Sequence, residues 1–141
     1  MTAATAAQHT PSELALVSCD DLTGIVEFAA RSRHDATRVN TVGLDTTTGE
    51  ILCDCQGAEC GRRCWHMDLV VAAWERTHAA HVARMLAPVA LYNEGSKAAA
   101  MIAVDRRRGG RPCPADIITL VAVRYEWRRR AASAAAEAVA A

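Results

Sequence analysis

Cys53, Cys55, Cys60 and Cys64 fall within twelve residues, and His66 stands two places beyond the last of them. No other feature restricts the fold of this chain so strongly, because exposed, unprotected thiols at this density oxidise readily. The chain opens with a polar Ala/Thr tract that lacks a basic leader segment. No apolar run approaches the roughly 18 residues that cross a bilayer. A cytoplasmic protein with no membrane contact is therefore expected, and in a reducing compartment crowded cysteines read as metal ligands rather than bridges. Zinc takes four ligands at tetrahedral corners, sulfur at about 2.3 Å and imidazole nitrogen at about 2.0–2.1 Å. Residues i and i+2 of a strand share a face, so Cys53 and Cys55 can converge on one point. Cys64 and His66 can do the same at the start of a helix, with Gln56 to Arg63, containing Gly57 and Gly61, folding the chain back between the pairs. Cys19 and Cys113 lie apart from the cluster and read as small buried apolar residues.

A metal also suits the composition. The 141 residues are 51% apolar and 23% charged, an ordinary globular mixture, but aromatics are only 4% and much of the apolar fraction is alanine. A core of Ala, Val and Leu carries little apolar area per residue and leaves room for another stabilising element. Sixteen basic and sixteen acidic side chains cancel overall. They are not evenly spread: residues 1–60 hold three basic against nine acidic groups (−6), and residues 61–141 thirteen against seven (+6). An anion is therefore expected to bind in the second half.

Thr10-Pro11-Ser12-Glu13 is a helix-start pattern, and a short helix to about Val17 is expected. Ser18-Cys19-Asp20-Asp21 repeats the signal, and Leu22, Ile25, Val26 and Ala29 recur at helical spacing, predicting a helix over 20–33. Residues 38–44 and 50–53 read as two strands round a Thr46-Thr47-Thr48-Gly49 turn, a hairpin leading into the cysteines. A long amphipathic helix is expected from Trp65 or His66 to Ala87, with Pro88 beyond its end. Residues 89–105 read as two short helices interrupted at Asn93-Glu94-Gly95, with Ser96 capping the second. Arg106 to Pro114 reads as a basic loop, and a last helix starts at Asp116. The Ala-rich tail from 131 is expected to fray. The resulting division is an N-terminal helical segment (1–35), a hairpin, ligand cluster and long helix (36–87), a C-terminal helical region with the basic loop (88–130) and the tail (131–141).

Cys-x-Cys, a spacer and Cys-x-His, following a hairpin and leading into an amphipathic helix, resembles the SWIM-type zinc finger. The resemblance falls on Cys53, Cys55, Cys64 and His66 and covers about Val39 to Trp74, including Ile51-Leu52 before the first cysteine and Leu69-Val70-Val71 after the histidine. It implies an α+β fold with a small SWIM-like core of β-hairpin plus helix flanked by additional helices, one structural Zn2+, and a role in DNA binding or protein–protein contact. Cys60 remains an alternative ligand, in a four-cysteine site with His66 outside the metal's own shell. A catalytic zinc needs an open position and a general base. Glu59 is near, but four good ligands fill the site. A binding protein rather than an enzyme is therefore expected, with a zinc hydrolase as the weaker alternative and no small-molecule substrate.

The expected partner is DNA, another protein, or both. Arg106, Arg107, Arg108 and Arg111 in the loop and Arg128, Arg129 and Arg130 on the last helix are candidate phosphate contacts. Gly110-Arg111-Pro112 resembles the Gly-Arg-Pro core of an AT-hook, with an incomplete flanking pattern. The competing reading makes these arginines a solvated face, and the protein a scaffold that binds only other proteins. His78 and His81 share a helix face, but with no acidic or cysteine partner evident nearby they read as ordinary helix histidines.

Overall fold

A computed structural model describes residues 14–32, 35 and 37–140. The elements are β1 (Leu14–Cys19), β2 (Ile25–Arg31), β3 (Val39–Asp45), β4 (Ile51–Cys53), α1 (Gln56–Glu59), α2 (Trp65–Val82), α3 (Pro88–Arg107) and α4 (Pro114–Ala140). The α+β class expected from the sequence is what the chain adopts, although the sheet has four strands in the order β1-β2-β3-β4 rather than a single hairpin. No described helix is long and apolar enough to cross a membrane.

The first half departs most from its local signals. The helices expected to reach Val17 and to span 20–33 are strands instead; the Thr10 to Glu13 start signal lies outside the described residues. In β2 the buried side chains are Val26, Phe28 and Ala30, a spacing of two. The same stretch satisfies a helical spacing, and pairing decides between them: all seven β2 residues, Ile25 to Arg31, pair antiparallel with Asp45 to Val39 of β3. The Asp20 signal marks a turn. Its Oδ1 accepts from the Leu22 amide at 2.9 Å, and Gly24 at φ +74 donates to the Asp20 carbonyl. The β3–β4 hairpin forms where it is expected, with Asp45 Oδ1 accepting from the amides of Thr47 and Thr48, and Gly49 at φ +79.

The described residues divide into two compact units, Leu14–Cys19 with Ile25–Trp74, and Asp20–Gly24 with Glu75–Ala140. In the first, the buried side chains are Val26, Phe28, Ala30, Val42 and Leu44 of the sheet and Met67, Val70, Ala73 and Trp74 of α2. In the second, α3 packs on α4 through Ala98, Ile102 and Leu120, with Gly95 set against Val123. The break expected at Asn93-Glu94-Gly95 is absent, and α3 is one helix of 20 residues. Gly95 is there for contact, since a Cβ on it would sit 2.8 Å from Val123 Cγ1. α2 ends five residues short of Ala87, and Pro88 occupies the first turn of α3. Arg106 and Arg107 are helical, so the basic loop is shorter than expected, and α4 starts at Pro114 and continues to Ala140 through the tail. Cys113 is exposed and Cys19 half-buried, neither a core residue.

Candidate metal centre

Each ligand position follows from a local piece of backbone. β4 ends at Cys53, and the ladder is extended one step by Asp54, whose amide donates to the Thr41 carbonyl while its Oδ1 accepts from the Thr41 amide at 2.9 Å. Asp54 is thereby held to β3, and Cys53 and Cys55 flank it. Cys55 is extended (φ −77, ψ 162) and precedes the single turn of α1. Gly61, at φ +76, donates to the Ala58 carbonyl and reverses the chain. Cys64 then precedes α2, and His66 is its second residue.

The outcome is a cluster in which one ligand atom from each of Cys53, Cys55, Cys64 and His66 lies within 4.8 Å of the others. Cys53 Sγ is 3.8 Å from His66 Nδ1. A tetrahedral zinc with three sulfurs and one nitrogen has edges of about 3.8 Å between sulfurs and about 3.5 Å between sulfur and nitrogen, so a small contraction of this cluster suffices to enclose an ion. Cys60 is exposed and is not among the four residues brought together.

The electrostatics fit a cation. Burial pushes the Cys53 thiol up to about 12, and the thiols of Cys55 and Cys64 beside it act in the same direction. Burial also acts to raise Cys55, but the amide hydrogens of Ala58 and Gly57 and the neighbouring thiols outweigh it and bring its pKa below the ordinary thiol range. Thiolates that share a site repel one another, and a divalent ion among them offsets that repulsion.

One site residue carried no signal in the sequence reading. Asn40 is a buried polar side chain on the inner face of β3, and its amide lies 3.4 Å from His66 Nε2. The atom nearest the ring is Asn40 Nδ2; with Nδ1 on a metal, Nε2 carries the proton and donates, which requires the Asn40 amide turned over so that its oxygen accepts. Trp65 lies against the imidazole, ring centroids 4.0 Å apart. The available clue was alternation: Asn40, Val42 and Leu44 share the inward face, where a polar residue needs a partner.

The arginine run is not a uniform basic face. Arg106 forms a two-pronged pair with the buried Asp21 carboxylate at 2.6 and 2.9 Å. Arg129 is 3.5 Å from Glu75, and Arg130 pairs with Glu126 at 3.0 Å while donating to the carbonyls of Met85 and Leu86. Arg128 is half-buried, and Arg107, Arg108 and Arg111 are exposed. His78 and His81 do not converge. His78 is buried, its Nε2 2.6 Å from Glu126 and its Nδ1 3.7 Å from Glu75, whereas His81 bonds to Thr119. The acidic partners that the sequence reading missed are thus Glu75, three residues earlier on the same helix, and Glu126 on α4.

Comparison with protein-family models, with curated proteins and with solved structures returns no match. The cluster supports a metal site, and the resemblance to the SWIM finger rests on the ligand pattern of the sequence alone.

Proposed function

We propose that this chain is a SWIM-like interaction module whose hairpin and α2 are held by one structural zinc, and that it works by binding rather than catalysis. The observation that carries this reading is the convergence of Cys53, Cys55, Cys64 and His66, ligand atoms within 4.8 Å, from β4, the turn after it and the start of α2. A thiolate-rich set of four is the donor chemistry of closed structural sites; hydrolytic zinc sites keep three protein ligands and an open position. When bound, the ion supplies charge neutralisation and a cross-link, contributing on the order of 10 kcal/mol to folding of such sites. Metal analysis of never-chelated protein, with absorption-edge spectroscopy, tests the reading: about one zinc per chain with sulfur and nitrogen neighbours supports it, and an oxygen neighbour revives the hydrolase.

Between partners, protein is favoured over DNA. Three of the seven arginines proposed for phosphate contact are already paired with carboxylates of the chain itself, those of Arg106, Arg129 and Arg130. Nucleic-acid-binding domains are usually basic overall, and this chain has a net charge of zero. DNA contact by Arg107, Arg108 and Arg111 is the second reading. A gel shift that weakens steeply with salt, and is lost when these three become glutamine, would establish it.

A further inference from the structure

A trough of about 480 Å³ crosses the outer face of the sheet. The register sets Gly43 opposite Glu27 on one side and Leu52 on the other, so the middle of this row has no side chain. Nothing local explains the glycine. Gly43 is not among the residues with positive φ, and a Cβ built there meets no atom within 4 Å. Glycine inside a strand weakens it, and it commonly marks a place where another group approaches the backbone closely. Ile25, half-buried, and Leu52, 66% exposed, supply apolar walls. Glu27, Asp45, Glu50 and Asp54 stand at the rim, and no lysine or arginine is among the described residues that line the trough. Apolar walls over a bare stretch of strand, edged by carboxylates, match a side chain with an alkyl stem and a cationic end.

The chain itself presents such side chains. Arg107, Arg108 and Arg111 are exposed round the end of α3, where Gly109 takes φ +73, and their guanidinium groups have no bonded partner among the described residues. The charged residues of the trough are all carboxylates and those of the 107–111 segment are all arginines, so the two surfaces have opposite sign. We infer that the trough receives arginines of the 107–111 segment of a second copy of this chain, in a head-to-tail contact. The inference rests on the protein-binding reading above and names its partner. Such a contact is heterologous, so it either closes into a ring or extends, and it weakens as salt screens the charges.

Sedimentation velocity on the full, zinc-loaded chain tests this at low and high salt. The expected result is a sedimentation coefficient that rises with protein concentration at low salt and returns to the monomer value at high salt. Gly43→Val fills the trough with a good strand residue and is expected to keep the metal content and thermal midpoint while abolishing association. Arg107→Gln, Arg108→Gln and Arg111→Gln together remove the other half. An equimolar mixture of the two variants, each retaining one intact half, is expected to restore a 1:1 dimer that grows no further. A chain that stays monomeric throughout, a Gly43→Val variant that associates like the parent, or a mixture that stays monomeric overturns the inference. Metal analysis on the same samples separates the two proposals: zinc-loaded monomers sink this one alone, and salt-reversible association of a folded chain that holds no metal sinks the metal reading alone.

Discussion

Asn40 is the residue whose role is most specific. It stands among apolar inward neighbours and meets the ring nitrogen of His66 that does not face Cys53. Asn40→Ala is expected to lower zinc affinity by about 10–100-fold, the usual cost of removing a ligand's outer partner, with an unchanged metal-edge spectrum. Competition against a chelator of known affinity measures it. Among the thiols, Cys53→Ser, like His66→Ala, is expected to abolish stoichiometric zinc and unfold the hairpin and the start of α2. Cys60→Ser is expected to leave both intact, as an exposed residue outside the cluster should. Equal zinc loss in all three variants, by metal analysis and circular dichroism, would remove this ligand set. The four candidate ligands were legible because their pattern is local, two pairs spaced by two residues on either side of a reversing spacer. Asn40 was not, since its partner is 26 positions away and only the strand's burial pattern betrays it.

Elements were read well where one periodicity dominated and badly where two fitted. The β3–β4 hairpin and α2 had unambiguous signals. β2 satisfied both spacings, and the row of bonds to β3 that settles it is a tertiary fact. Gly95 misled in the opposite direction. It reads as a helix breaker but sits within α3 because Val123 leaves no space for a side chain. Gly95→Ala gains about 1 kcal/mol of helix propensity, but it drives a methyl into a buried β-branched neighbour, an overpacking cost of about 1–3 kcal/mol. Net destabilisation of up to about 2 kcal/mol is expected in chemical denaturation. Adding Val123→Ala should make the alanine at position 95 neutral or favourable, a non-additivity that identifies the contact.

At the scale of the whole molecule, the arginine-rich second half is better described as a set of internal counter-charges than as a uniform cationic surface. Asp21 shows this most clearly. The Arg106 guanidinium bonded to it holds its carboxyl below the usual range, against an opposing effect of burial. A group whose pKa is depressed on folding stabilises the protein above its unfolded value near 3.8 and loses that contribution as pH falls through the folded value. Asp21→Asn is therefore expected to lower the thermal midpoint at neutral pH, with the gap from the parent closing as the solution is acidified below about pH 4. Thermal melts of both proteins across that range check it. The net charge of zero hid this pairing, because summed charge carries no information about distance. The shortness of β4 bears on how the protein fares without the ion. Its three residues cover β3, and the backbone beyond them runs directly into the proposed ligands. Loss of the proposed ion would therefore be expected to uncover the edge of β3 at Val42, Gly43 and Leu44, a row of unpaired backbone groups open to another strand. Removal of a bound ion by a chelator is then expected to appear as light scattering from chains joined along this edge.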